Sequence, residues 1–288
     1  MAGRAMRSLA AVAALALAAA ARAGAQAAAP PGPPRPPGAG IAIGDLGWAA
    51  RDIERAELPQ KGSWRRLAAG DKLRTGDTFR TSDDATARLD FPWMAVTLGS
   101  STMLTIPSST VLSTVLEQGR AEFAGPGRDM VKIRVGEGEV RGGGRLVLRR
   151  SVGRTSATAL VGAFRVRAAG RTVEIKGGEG TVVMDGRPPE APAPLPAPPR
   201  GLHPGRDPAY VRLGQPVALR WTAGGPSHRV EILALKTDEV LLGLDVGAPP
   251  VRVEIPWLGT YRWRVSTRDA RGIESPPSAD GLICSVDR

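Results

Sequence analysis

Short segments of alternating apolar and polar residues are the feature that most limits what this chain can fold into. Segments such as Arg145–Arg149, Ala163–Arg167 and Thr172–Lys176 place apolar side chains at every second position. This spacing is the period of a β-strand with one buried face. Glycine, proline, aspartate or serine separates nearly every pair of segments, as turns require. The 26 prolines also disfavour helices, because an interior proline costs a helix about 3 kcal/mol. We therefore expect an all-β protein.

Residues 1–25 have the pattern of a secretory signal peptide. Arg4 and Arg7 precede an apolar run from Leu9 to Ala21, and Ala23-Gly24-Ala25 provides a small-residue cleavage site. The run is shorter than the ~20 residues that a membrane-spanning helix needs. We expect cleavage after Ala25 and a periplasmic or secreted mature chain without a transmembrane segment. An uncleaved membrane anchor is the alternative.

Two proline-rich tracts predict the domain organisation. Residues 26–40 form a spacer and residues 188–201 a linker, because such tracts are stiff and lack internal hydrogen bonds. They separate a first β domain at 41–187, with about ten or more strands, from a second at 202–288 with about seven. The second domain has the size of one immunoglobulin-like sandwich.

The first domain carries a spaced motif near its N-terminal end. The motif consists of Trp64-Arg65-Arg66-Leu67, Gly70–Asp77, Arg80-Thr81 and Ala85–Phe91. It resembles the FecR domain, in which W-x-x-L, G-D-x-L-x-x-G-D and R-T lead into a strand that ends in Phe. The resemblance covers residues 60–187. It implies a two-layer or short solenoid-like β body.

The motif also predicts local structure. Asp71 and Asp77 follow glycines and are expected to bond their own local backbone, with Leu73 and Phe79 pointing inward. Regulatory FecR proteins carry a cytoplasmic helical segment and a membrane helix ahead of this domain, where this chain has a predicted signal peptide. The FecR resemblance nevertheless implies an alternative function, that of a periplasmic signalling regulator that acts with an unidentified partner.

The second domain resembles a fibronectin type III-like or related Ig-like module. The matching segments are Leu219-Arg220-Trp221, Gly259–Val265 and Asp269–Pro276. The resemblance implies that Trp221 is the core tryptophan and that Tyr261 or Trp263 anchors the opposite sheet. Such modules display surfaces and set spacing, and the resemblance implies no catalysis.

Catalytic and cofactor chemistry has little support in this sequence. His203 lies beside the proline-rich linker and His228 in an expected turn, so neither has a predictable acid or nucleophile partner. Cys284 is the single cysteine, and two histidines add too few ligands for a zinc or haem site. Gly136-Glu137-Gly138 and Gly142–Gly144 are interpreted as glycine turns between strands, not as phosphate loops. We expect no enzyme activity, metal or cofactor.

Arginine gives the chain its net charge of +11. Residues 61–187 hold 21 basic and 13 acidic residues, an excess as large as that of the whole chain without its signal peptide. No acid occurs between Val140 and Glu174, a stretch that contains all six candidate anion contacts. These candidates are Arg141, Arg145, Arg149, Arg150, Arg154 and Arg165. On one shared face they would bind an anionic cell-wall glycan or anionic lipid. The alternative is a solvated sheet face.

Two further expectations concern partners. No aromatic residues interleave with the basic run, so a specific nucleic-acid partner is not expected. Trp93 stands where FecR domains have Asp-Gly, either as a contact residue for a partner or packed over the core. The sequence therefore predicts a non-enzymatic exported FecR-domain protein that acts as a binding or scaffold module of the cell envelope, with a protein or envelope partner.

Overall fold

The computed structural model describes residues 40–57, 64–107, 113–125, 131–222 and 224–287. In these ranges the chain forms strands and turns and no helix, which confirms the predicted all-β fold. No helix of the length and hydrophobicity needed to cross a membrane occurs among them. The predicted signal peptide, and the spacer up to residue 39, lie outside the described residues. The chain from Gly40 onward belongs to one compact unit.

The first sheet contains fifteen strands. They are β1 (Ala42–Ala50), β2 (Ile53–Glu57), β3 (Arg65–Arg66), β4 (Lys72–Arg74), β5 (Asp77–Thr81), β6 (Thr86–Phe91), β7 (Met94–Leu98), β8 (Met103–Thr105), β9 (Ser113–Gly125), β10 (Val131–Val135), β11 (Gly138–Ser151), β12 (Arg154–Ala168), β13 (Arg171–Lys176), β14 (Glu179–Met184) and β15 (Ala193–Pro194).

Strand β9 connects the parts of this sheet. Its first residues pair with β8 and β10, and its last residues pair with β7 and β11. In the same way, the first residues of β12 pair with β14 and its last residues pair with β13. A single apolar core, which includes Leu46, Phe79, Phe123 and Phe164, draws residues from most of these strands. The sheet therefore wraps around one core.

The glycines Gly142–Gly144 lie within a strand, which corrects the prediction that they form a turn between strands. β11 runs unbroken beside β12, and Gly144 pairs with Gly162 across the two strands. Gly144 has a φ of 122° and Gly162 a φ of 88°. A Cβ at Gly162 would lie 2.1 Å from the carbonyl oxygen of Gly143. The glycines therefore allow the backbones of β11 and β12 to approach each other closely within this pair of long strands.

The two aspartates of the spaced motif bond the backbone as predicted. Asp71 accepts a hydrogen bond from the Ala68 amide at 3.0 Å, and Asp77 accepts one from the Arg74 amide at 2.8 Å. Leu73 and Phe79 are fully buried, as expected.

The C-terminal strands form two sheets around a second core. They are β16 (Arg200–His203), β17 (Ala209–Arg212), β18 (Pro216–Thr222), β19 (Ser227–Ala234), β20 (Val240–Val246), β21 (Val251–Glu254), β22 (Gly259–Arg268) and β23 (Gly281–Val286). Trp221 on β18 and Trp263 on β22 belong to opposite sheets, with ring centroids 6.3 Å apart. This confirms the predicted core tryptophan and its partner in the opposite sheet. We call β16–β23 the sandwich.

The proline-rich segment after β14 follows the edge of the first sheet. β15 pairs with the start of β14, and the amides of Glu190 and Leu195 bond the carbonyls of Val182 and Gly178. The segment thus adds hydrogen bonds to an edge strand. The domain boundaries at 41–187, 188–201 and 202–288 stay predictions.

Replacing Gly162 by alanine tests the close approach of β11 and β12. Gly162→Ala is expected to lower the free energy of unfolding by about 2 kcal/mol or more, because the new Cβ meets backbone and the φ is positive. Gly170→Ala is the matched control: its φ is 75° and its Cβ would meet nothing within 4 Å. It should cost only about 1 kcal/mol. Equal losses for the two variants in urea unfolding would contradict the account.

Candidate anion-binding surface

One face of strands β10–β13 is basic and open to solvent. Apolar residues of these strands, among them Ile133, Val140, Val166 and Ile175, are buried in the first core. The residues between them point the other way, because side chains alternate along a strand. We call these the outer face: Lys132, Arg134, Glu139, Arg141, Arg165, Arg167, Glu174 and Lys176. Six of the eight are basic.

Strand register sets these cations in rows. Lys132 pairs with Arg141, and Arg141 pairs with Arg165, so three cations follow one another across three strands. Neighbouring strands are about 4.8 Å apart, which gives the row a span of about 10 Å. Arg167 lies in the next row, opposite Glu139.

The acids of the outer face neutralise only part of this charge. Glu139 contacts Lys132 at 3.0 Å and also Arg141. The hydrogen bond from Arg141 holds the pKa of Glu139 below its ordinary value, more strongly than partial burial raises it. Arg165 and Arg167 are exposed and make no ion pair within the described ranges, although Glu174 on β13 lies directly opposite Arg165 in the strand register. They are available to an external anion.

A shallow depression lies at one end of the outer face. It has a volume of about 580 Å³ and includes Arg134, Arg141 and Arg167 in its lining. The turns at Gly136-Glu137 and Ala169-Gly170 form its far side. A group bound there would meet three guanidinium groups and the acids of that lining.

The six arginines singled out in the sequence do not share one surface. Arg141 and Arg165 lie side by side on the outer face. Arg145 pairs with Glu122, and Arg149 with Asp245 of the sandwich. These two also point away from the core. The sandwich covers their half of β11, and this is why they do not extend the outer face.

The other two arginines lie near the β11–β12 turn. Arg150 makes a fork of two hydrogen bonds to Asp185, at 2.6 and 2.7 Å. Arg154 donates one long hydrogen bond, of 3.5 Å, to the carbonyl oxygen of Ala270 and makes no ion pair with a described residue. Consecutive residues of a strand face opposite ways, so Arg149 and Arg150 cannot contribute to one face.

Trp93 is used in packing in this structure. Its ring is half-buried against the first core and stacks on Phe91, with centroids 5.8 Å apart. Its indole nitrogen is buried without a hydrogen-bond partner. Any role in contacting a partner stays a prediction.

The sandwich is joined to the first sheet by buried charges that the sequence analysis did not identify. Arg120 on β9 donates two hydrogen bonds to Glu274, at 3.0 and 2.8 Å. Glu231 accepts from Arg229 and Arg264, each at 2.9 Å. We call the set the charge network: Arg120, Glu122, Arg145, Arg149, Arg229, Glu231, Asp245, Arg264, Arg268 and Glu274.

The titration of these groups reflects their burial and their partners. Burial raises the pKa of Glu231, but Arg264, Arg229 and Arg120 outweigh it and hold that pKa well below its ordinary value. Burial lowers the pKa of Arg120, yet Glu274 outweighs burial and the net direction is upward. Asp245 is held low by Arg149, Arg229 and Arg268 against burial. Arg120, Glu231 and Asp245 are therefore charged throughout the neutral range.

A weak signal for this network was present in the sequence. Glu231 lies directly opposite Arg264 on the neighbouring strand, and both alternate with core residues. Opposite charges at facing positions pair across a sheet. The alternation pattern alone assigns such residues to solvent, because it does not show that the first sheet covers them.

The described residues show no cluster for metal chemistry. No group of three or more His, Cys, Asp or Glu side chains is arranged to hold a metal ion in these ranges. His228 is buried beside Trp221, with centroids 5.3 Å apart, and its Nδ1 lies 2.9 Å from the Gly247 carbonyl oxygen.

Comparison with known proteins adds little. No family model matches the chain, and no curated protein is significantly similar to it. Two crystal structures of a candidate anti-sigma factor from Parabacteroides distasonis align with 41% of this chain and 59% of their own, at 13% identity and a TM-score of 0.36. The alignment thus spans less than two thirds of those proteins. A likeness this weak supports no argument, and the FecR assignment stays a prediction from sequence motifs.

Acid titration of stability tests the charge network through Glu231. At pH 7 Glu231→Gln should lower the free energy of unfolding by about 3–5 kcal/mol, because it leaves buried arginines without their partner. The pKa of Glu231 is lower in the folded protein than its ordinary value of 4.5, so the carboxylate stabilises the folded state fully at pH values above 4.5. This stabilisation is lost as the pH falls from 4.5 towards the folded pKa. The difference between wild type and variant should therefore shrink below about pH 4.5. Parallel stability curves from pH 7 to pH 3 would contradict this.

Proposed function

We propose that this chain is a non-enzymatic binding module of the cell envelope and that its outer face binds an anionic glycan. The observation that carries the proposal is the row Lys132–Arg141–Arg165, extended by Arg167, on an exposed sheet face. Arginine side chains suit this role because their planar forks match carboxylate and sulfate groups. Export rests on the predicted signal peptide.

Several features favour a soluble polymer over a membrane. Among the described side chains, the exposed large apolar residues lie elsewhere, apart from Val161, which borders the outer face on β12. Membrane-surface binding generally needs several apolar or aromatic side chains to enter the interface. The cations are instead arranged across strands, so a linear chain with anionic groups about 5–10 Å apart could contact several at once.

The same face disfavours a nucleic acid. Binding of single strands uses aromatic side chains on which bases stack. The outer face has no aromatic residue: its eight residues are all charged, and the neighbouring exposed residue on β12 is Ala163. The FecR resemblance supports the alternative of a periplasmic signalling regulator that acts with a protein partner.

Heparin affinity chromatography tests the proposal. Replacing Arg141, Arg165 and Arg167 together by Gln should reduce the slope of log K against log salt by about two to three, close to one for each lost contact. The variant should elute at clearly lower salt than wild type. The measurement is retention across a series of salt concentrations.

A matched control removes the same charge from the sandwich. Arg212, Arg220 and Arg252 are exposed and make no ion pair within the described ranges, so their triple Gln variant has the same net charge as the first. Its retention should stay near that of wild type. Equal loss in both variants would show that net charge alone sets retention and would refute the outer face as a site.

A further inference from the structure

A cleft lies between the β11–β12 turn and the sandwich, away from the outer face. Its volume is about 280 Å³, and the side chains that matter to it are Arg149, Ser151, Arg154, Ser156, Arg268 and Arg271. Four of these six carry positive charge, and Asp269, which also lines the cleft, adds one acid. The cleft is large enough for a phosphate group with a small substituent.

Strand register builds one wall of the cleft. Arg149 pairs with Ser156, and Ser151 pairs with Arg154, so these four side chains lie on one face of the β11–β12 hairpin. The hairpin presents two guanidinium groups and two hydroxyls to the sandwich.

The loop after β22 forms the opposite wall. Asp269 fixes the loop, since its carboxylate accepts a hydrogen bond from the Ile273 amide at 2.9 Å and another from Arg271 at 3.0 Å. Arg268 ends β22 at the base of this loop. The loop is thus held by its own hydrogen bonds and needs no ligand to order it.

Several donors in the cleft have no acceptor. Arg268 is only 8% exposed, and its Nε has no hydrogen-bond partner. The Nε of Arg154 is likewise buried and unpartnered. The hydroxyls of Ser151 and Ser156 make no hydrogen bond to the described part of the chain. Ser151 is exposed, but the Nε atoms of Arg154 and Arg268 and the Ser156 side chain are buried. Buried donors without acceptors are uncommon in folded proteins and call for an explanation.

The charge of the cleft is unbalanced. Asp245 forms ion pairs with Arg149, Arg229 and Arg268. Asp269 forms an ion pair with Arg271. Arg154 has no acid. Burial lowers the pKa of Arg268, and Arg149 and Arg229 lower it further, against the opposing effects of Asp245 and Glu274. An added anion would relieve this repulsion.

We propose that this cleft binds a tetrahedral oxyanion, a phosphate group that is either free or carried as a monoester. Donor side chains line the cleft on two walls, with Arg154 and the serines on one side and Arg268 and Arg271 on the other. Such an arrangement fits oxygens that point in several directions better than the two coplanar oxygens of a carboxylate. The site is independent of the outer face and of the function proposed for it.

Isothermal titration of the purified chain with inorganic phosphate, at ionic strength held constant with sodium chloride, tests the proposal. Wild type should bind saturably with one site. Arg154→Gln should weaken binding by about tenfold or more, because it removes a charged donor. Its one contact to Ala270 is long, so the fold should persist. Ser151→Ala, at an exposed position, provides a second variant and should weaken binding by about threefold.

Arg165→Gln is the matched control, since it removes one charge from the outer face. It should leave phosphate binding unchanged but reduce heparin retention, and Arg154→Gln should do the reverse. Failure of one proposal is thereby separated from failure of the other. Absence of saturable binding, or equal weakening by Arg165→Gln, would overturn the proposed site.

Two further ligands define the chemistry. Acetate at the same ionic strength should bind far more weakly than phosphate, and equal binding would contradict a tetrahedral site. Glycerol 1-phosphate tests the source of the group. Tighter binding than inorganic phosphate assigns a phosphomonoester, and weaker binding assigns the free ion.

Discussion

Buried charge is the constraint on which the arrangement of this protein depends. Arg120 is 4% exposed and lies where the sandwich meets the first sheet, so its guanidinium cannot be satisfied by water. Glu274 supplies the required fork, and Glu231 holds Arg229 and Arg264 nearby. An isolated buried charge costs several kcal/mol, so a shifted sandwich would leave these groups unpaired. The network therefore selects one packing of the sandwich on the sheet.

That packing decides what the remaining arginines can do. The sandwich covers the half of β11 that carries Arg145 and Arg149 and leaves the half that carries Arg141 open. The covered Arg145 and Arg149 pair with acids, while Arg165 and Arg167 face solvent and make no ion pair in the part of the chain that the structure describes. A high arginine content thus serves two purposes in one chain, as internal pairing and as an exposed cationic face.

The sequence predicts the local structure well and the pairing between distant segments poorly. Alternation, the turns at Asp71 and Asp77 and the facing Trp221 and Trp263 were all predictable, because each depends on residues close in sequence or on side-chain size. Arg120 and Glu274 are 154 positions apart, and no local pattern connects them. The run Gly142–Gly144 predicts a turn but lies within strand β11, because glycine permits both a turn and a close approach of two strands. The basic run in the sequence predicts two of the six cations of the outer face, Arg141 and Arg165, and misses Lys132, Arg134, Arg167 and Lys176.

Arginines of the charge network and arginines of the outer face are expected to respond differently to an anionic glycan. The most direct test is NMR of the arginine side-chain Nε–H groups during titration with a heparin oligosaccharide. If the outer face is the binding surface, the Nε signals of Arg141, Arg165 and Arg167 will shift saturably. Those of Arg120 and Arg264 in the network will stay in place. Uniform small shifts across all exposed arginines, or shifts confined to the sandwich, would contradict the account.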